Sequence, residues 1–219
     1  MNYWYLALKW ILRIIFAAPL YIDYHRKGKV DKKPKIFVAN HPSTFDPILL
    51  MTVLPEQVAS LITGGVFHIP IIGWILTKVG HVPVHDNQGR KAYEAIKKQL
   101  MRGKSILIFP EGQLSHEDGS VKALFSGAVR LAAETNVPIV PIGISMSNKR
   151  WIKKKIFLGG KTEYARFFLL GTYAITVGLP MILTGPIHDH VQKTVNKAIV
   201  TKHLSALISE SYFRIIKNK

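Results

Sequence analysis

The chain has 219 residues, no cysteine and a formal net charge of +17, with 48% hydrophobic residues. Its length favours one domain with a sizeable core, and the missing cysteine excludes a thiol nucleophile and a thiolate zinc site while leaving the compartment open. The charge implies an anionic partner surface: membrane phospholipid, a phosphate-bearing co-substrate or nucleic acid.

Residues Met1–Ile22 read as a helix lying in a membrane interface, set apart from a domain over 23–219. A spanning helix wants about 20 mostly apolar residues, and Lys9 and Arg13 are costly at its centre. In the interface both cations snorkel, on a face shared with Asn2, while Tyr3, Trp10 and Phe16 lie elsewhere around the helix. A cleaved signal peptide fits less well, because no convincing small-residue cleavage site follows the run after Arg13. Ile36-Phe37-Val38 reads as a strand. After the loop Asn40–Pro47, a helix opens through Ile48–Met51, with Asp46 as N-cap and Pro47 at the first helical position. Val58–Ile62 is a further strand. Gln88–Arg102 is an amphipathic helix with Ala92, Ile96 and Leu100 on one stripe. Ser105–Ile108 is a buried strand running into Phe109-Pro110-Glu111-Gly112. Ser126–Asn136 is another helix, closed before Pro138. Phe167–Ile187 is long and uncharged, but glycines and prolines interrupt it and Tyr173–Val177 is rich in β-branched residues, so it predicts a loop and a sheet strand. His188–Ile216 predicts one or two helices. The alternation is that of an α/β domain, a mixed, mostly parallel sheet flanked by helices.

His41 and Asp46 lie in a loop between strand and helix, where an α/β sheet exposes its chemistry. A carboxylate on one ring nitrogen leaves the other free to accept a proton, which is the layout of a general base. Spacing alone fits a structural cap equally well.

The segments Asn40-His41-Pro42-Ser43-Thr44-Phe45-Asp46 and Phe109-Pro110-Glu111-Gly112 together resemble the glycerolipid acyltransferase family, which includes 1-acylglycerol-3-phosphate acyltransferases. Phe67–Trp74 resembles the family's Pro-x-x-Gly-Trp segment, Lys122–Ala128 the segment after the glutamate, and Val137–Ile142 its Val-Pro-Ile-Val-Pro strand. The resemblance covers about Lys35 to Ile187. It implies acyl transfer from a thioester, acyl-coenzyme A or acyl carrier protein, to a lysophospholipid hydroxyl. His41 takes the hydroxyl proton, work typically worth about 10²–10⁴-fold, and Asp46 holds the imidazole tautomer. Glu111 is assigned to acceptor binding or orientation of the site; its rival role, receiving loop amides, predicts that Glu111→Gln loses little activity. Gly112, Lys122 and Arg90 complete the expected substrate-binding set. Oxyanion donors are sought in the Gly112 loop or around Ser43. No Gly-x-Ser-x-Gly elbow occurs, so direct transfer is expected without an acyl-enzyme, and neither metal nor resident cofactor is required.

The chain departs from the family where the acceptor is gripped. Gln113-Leu114 replaces the usual Thr-Arg, and a second arginine near Gly80–Asp86 is absent or displaced to Arg90, a change that is not conservative for phosphate. Another lysophospholipid or a glycolipid alcohol therefore stays open as acceptor. Gly103-Lys104-Ser105 is a turn, not a phosphate loop. His81 with His85, and His188-Asp189-His190, lack a further convergent ligand for a metal. His116-Glu117-Asp118-Gly119 reads as a polar turn. The run Lys149–Lys155 is either solvated charge or, with Trp151, a headgroup anchor; coenzyme A phosphates or acyl carrier protein are other partners for it. A nucleic-acid binder, suggested by charge alone, explains neither loop, and no such partner is expected. A catalytically idle membrane-binding relative is the other rival. The expected location is a membrane, peripheral or monotopic, on the cytoplasmic face of the cell membrane.

Overall fold

The computed structural model describes residues 3–17, 19–29, 31–85, 87–147, 151–158, 161–183 and 189–217. In chain order the elements are α1 (Tyr3–Ala17), β1 (Leu20–Arg26), β2 (Ile36–Ala39), α2 (Asp46–Val53) and β3 (Val58–Thr63). A short 3₁₀ turn (Gly64–His68), α3 (Ile72–Val79), β4 (Val82–Val84), α4 (Gly89–Met101) and β5 (Ser105–Ile108) follow. The chain continues through α5 (Gly127–Thr135), β6 (Ile139–Met146), β7 (Trp151–Leu158), β8 (Lys161–Phe168), β9 (Gly171–Val177) and α6 (His190–Lys217).

Seven strands form one sheet in the order β1-β9-β6-β2-β5-β3-β4, and β7 and β8 form a separate hairpin. Strands β6, β2, β5, β3 and β4 run parallel, while β9 opposes β6 and carries β1 parallel to itself. The central strands are apolar on both faces because both are covered, as parallel sheets require. Ile36, Val38, Ile106 and Ile108 pack under α4, α5 and α6 through Ile96, Leu100, Leu131, Val200 and Leu204. Their neighbours Phe37, Ala39 and Leu107 face the other way, against Phe16 of α1 and Leu49 and Leu50 of α2. Period-two alternation thus divides one short strand between two cores. Gly143 lets α6 approach, since a Cβ there would stand 2.3 Å from the Leu207 carbonyl carbon.

The N-terminal helix differs from its expectation in two ways. It stops at Ala17, and Leu20-Tyr21-Ile22 belong to β1, paired with β9 in register Leu20↔Gly171. Its cations also turn inward: Lys9 Nζ donates to the Leu54 carbonyl, and Arg13 Nε donates to the Thr52 carbonyl at 2.8 Å. Burial, then Arg13, pushes the Lys9 ammonium down to about 8. Two carbonyls at the end of α2 lack intrahelical partners and attract cations there, which explains the inversion. The outward face is left to Tyr3, Trp4, Trp10, Ile11, Ile14 and Ile15, all exposed.

Candidate active site

β2 ends at Ala39 between β6 and β5, and Asn40 continues its pairing with a side chain. Its Nδ2 donates to the Ile144 carbonyl at 2.9 Å, and its Oδ1 accepts the Ile144 N–H at 2.8 Å. The chain can therefore leave the sheet at a fixed point without orphaning β6. His41 follows at the carboxyl edge of parallel strands, where loops from neighbouring strands converge.

His41 Nδ1 lies 2.8 Å from Asp46 Oδ2, and the same oxygen accepts the Ser43 N–H at 2.8 Å. The Tyr173 hydroxyl donates to Asp46 Oδ1. Tyr173 is fully buried, and that burial, then Asp46 itself, holds its phenol well above the usual range, so it remains a donor. An ionised carboxylate only accepts, which puts the imidazole hydrogen on Nδ1 and the lone pair on Nε2. The ring stacks on Phe109 with centroids 4.3 Å apart and its side chain is 19% exposed. Asp46 is the first residue of α2 and Phe45 precedes it; the carboxylate does not cap the helix as expected, because Ser43 and His41 engage it. The positive end of α2 favours that carboxylate's charge.

The loop after β5 is tied to the first loop through Glu111, which is 1% exposed. Its Oε1 accepts the His41 N–H at 3.1 Å and the Ser115 hydroxyl at 2.6 Å, and its Oε2 accepts the Lys122 N–H at 2.7 Å. Ser115 completes the seam: its Oγ accepts the His41 N–H at 2.8 Å, and its own N–H donates to the His41 carbonyl at 2.8 Å. Glu111 thus orients the site from beneath, with its carboxylate committed to loop groups. Gly112 has φ +65°, and a Cβ there would stand 2.7 Å from the Phe125 ring, so the turn is suited to glycine. Lys122 meets the site through its main chain.

Arg90 goes elsewhere. It lines a cleft of about 550 Å³ with Tyr93, Glu94, Arg130, Glu134 and Lys193, between α4, α5 and the start of α6. The His41 and Glu111 loops do not line that cleft. The amide of Ser43, one expected source of oxyanion donors, is engaged by Asp46, and that of Gly112 bonds the Phe109 carbonyl at 3.1 Å.

Two residues of the site escaped the sequence reading. Tyr173 stands 127 residues from Asp46 on β9. Arg166, on β8, is buried and donates from Nη1 to the Pro42 carbonyl and from Nη2 to the Ser115 carbonyl, both at 3.2 Å. Its guanidinium lies over Trp151 at 4.9 Å, and its main chain bonds Thr44 in both directions. One fork thus joins both motif loops. Trp151 is half-buried, with the Arg166 guanidinium over its ring; Lys149 and Arg150 of the same basic run lie outside the described residues. Of the histidine pairs, His81 is buried and its Nδ1 accepts the Ser60 N–H at 3.0 Å; burial, then Lys104, pushes it down to about 4. His188 lies outside the described residues, and among the described residues no group of three or more metal-ligating side chains gathers.

The family model "Acyltransferase" matches residues 21–145, more than half of the chain. The chain belongs to the acyltransferase family. The chain is 34% identical over 119 residues to a chloroplastic 1-acyl-sn-glycerol-3-phosphate acyltransferase, BAT2, of Brassica napus, covering 53% of this chain and 34% of that protein. It is 30% identical over 138 residues to a lyso-ornithine lipid O-acyltransferase of Pseudomonas aeruginosa, covering 62% of this chain and 52% of the other. The matches thus span about a third to a half of these relatives' lengths. The crystal structure of the Thermotoga maritima 1-acyl-sn-glycerophosphate acyltransferase PlsC superposes with a TM-score of 0.68 at 20% identity, over 93% of this chain and 79% of that one. The fold is therefore that of PlsC: a mixed, mostly parallel sheet between helical layers.

Proposed function

We propose that this acyltransferase moves a fatty acyl group from a thioester to the hydroxyl of a lysophospholipid such as 1-acylglycerol-3-phosphate, at a membrane surface. The observation that carries the reading is the 2.8 Å contact between His41 Nδ1 and Asp46 Oδ2, which leaves Nε2 as a base at the mouth of two loops. As the acceptor oxygen attacks the thioester carbonyl, Nε2 takes its proton and an O–C bond forms. The tetrahedral intermediate then expels the thiolate as the C–S bond breaks, and the imidazolium returns the proton to sulfur. Asp46 stabilises the imidazolium in between. With the Ser43, Thr44 and Gly112 amides engaged, those of Gln113 and Leu114 remain for the oxyanion. The donor, acyl-coenzyme A or acyl carrier protein, is a co-substrate; the mechanism calls on no resident cofactor.

The outward face of α1 supports attachment to a bilayer, on the cytoplasmic side where both donors occur. Among the described residues no helix is long and apolar enough to cross a membrane. Trp4 of α1 meets Trp74 of α3 edge-on, with centroids 5.0 Å apart. Beside them a γ-turn from Pro70 to Ile72 holds Ile71 at φ +68° and 74% exposed, a strained conformation for a β-branched residue. Aromatic and aliphatic side chains held outward in this way fit the interfacial layer.

Leu114, where the family usually carries arginine, favours a second reading in which the acceptor headgroup is not a phosphomonoester. Labelled acyl transfer into a panel of lysolipids, from each donor, tests both readings. Transfer abolished in His41→Ala establishes the reaction and its base. Persistence in that variant rejects the mechanism, and improved use of a phosphomonoester by Leu114→Arg identifies the headgroup determinant.

A further inference from the structure

We infer that the β7–β8 hairpin is a second bilayer-contacting arm that reads anionic lipid, distinct from α1 and lying outside the family-matched stretch 21–145. The inference rests on the membrane-bound reading above.

Each hairpin strand has eight residues, so the arm reaches about 26 Å when extended. Along β7, Ile152, Lys153, Lys154, Lys155 and Phe157 are exposed. Lys155 is paired with Tyr164 of β8 across the ladder, its ammonium 5.5 Å from the ring centroid. Phe157 is 76% exposed and Tyr164 68%. Lys153 is tied to Glu117, which leaves Lys154 and Lys155 as the other exposed cations of β7, one on each face of the ribbon, so that a hairpin entering the headgroup layer edge-on presents both. Lysines interleaved with projecting aromatic and aliphatic groups suit a headgroup layer, where rings sit at the interface and ammonium groups meet lipid phosphates. An acidic protein would satisfy the lysines but would have to cover the apolar groups as well.

Position favours the bilayer too. The hairpin leaves through Phe168 into an exposed Leu169-Leu170 turn, and the next N–H, from Gly171, donates to the Pro19 carbonyl at 3.4 Å, just past α1. Phe45, beside Asp46, packs edge-on against Phe16 of α1 (centroids 5.5 Å) and tilted against Phe167 of the hairpin (5.1 Å). The arm and the helix therefore flank the His41 loop. With Arg166 bonding both motif loops, a hairpin seated on the surface would hold the mouth of the site against the lipid that supplies its acceptor.

The test is flotation of the full chain with vesicles of phosphatidylcholine alone, or of phosphatidylcholine mixed with phosphatidylglycerol. Lys154→Ala/Lys155→Ala should lower affinity for the anionic vesicles by about thirtyfold, at about 5.4-fold per lysine, and scarcely alter the weaker binding to phosphatidylcholine. Phe157→Ser should weaken both. Transfer in detergent micelles and the thermal melt should match the parent, which excludes misfolding. Unchanged binding of the double variant to anionic vesicles overturns the inference. So does loss of acyl carrier protein binding with vesicle binding intact, which would reassign the arm to the donor. If the parent transfers no acyl group yet shows the thirtyfold loss, the arm stands and the acyltransfer reading falls.

Discussion

The loops that leave β2 and β5 each bury one carboxylate, Asp46 and Glu111, and each carboxylate accepts three hydrogen bonds. Asp46 directs one of its bonds to an imidazole and has a phenol behind it. Glu111 directs all of its bonds to loop amides and a serine hydroxyl. Equivalent burial of the same functional group thus yields two kinds of contact: Asp46 engages the His41 ring, and Glu111 fixes where the His41 backbone stands. The difference follows from what each oxygen faces.

Substitutions at the two loops should separate these roles. Asp46→Asn removes the group that fixes the tautomer, and transfer should fall by about 10⁴-fold with the fold kept. The pH profile of kcat/KM, measured alongside circular dichroism, checks both halves of that expectation. Arg166→Ala cuts the fork shared by both loops. Since bonds from charged donors contribute about 1.5–3 kcal/mol each, a loss near 3 kcal/mol in a urea melt is expected, with partial recovery in Arg166→Lys. Glu111→Gln should cost about 1–3 kcal/mol, because a carboxamide nitrogen must face an N–H or O–H donor, while the pH profile stays that of the parent. The cost falls on stability, so a structural Glu111 still predicts little loss of activity per folded molecule in Glu111→Gln. A changed pH profile in Glu111→Gln would erase the contrast between the two carboxylates. Tyr173→Phe is the mildest: about 1 kcal/mol, seen as a rate loss of roughly tenfold at most, since Ser43 still supports Asp46.

Part of this was written locally. Strands β2, β3 and β5 and helices α4 and α5 follow from apolar periodicity and from Asn136, which ends α5 in the left-handed conformation. The two loops announce themselves because each packs its chemistry into a few consecutive residues. Helix α1 shows the limit: the row that packs against the protein is Tyr5, Lys9, Leu12 and Phe16, whereas the sequence reading sets Phe16 apart from Lys9 and turns the cations outward. Only the free carbonyls of α2 decide that the cations face protein and the tryptophans face out.

The sequence by itself determined the α/β class, the pairing of His41 with Asp46 in one loop, and the basic balance of the chain, because each is encoded in near neighbours or in composition. The tertiary structure alone decided that Tyr173 and Arg166 stand behind the His41 loop, that Glu111 bonds His41, Ser115 and Lys122 and that Arg90 lines another cleft. Those contacts join residues separated by up to 127 positions, and no local propensity carries such information. It arises when a seven-stranded sheet brings β9 beside β6 and the hairpin returns over the loop that β2 releases.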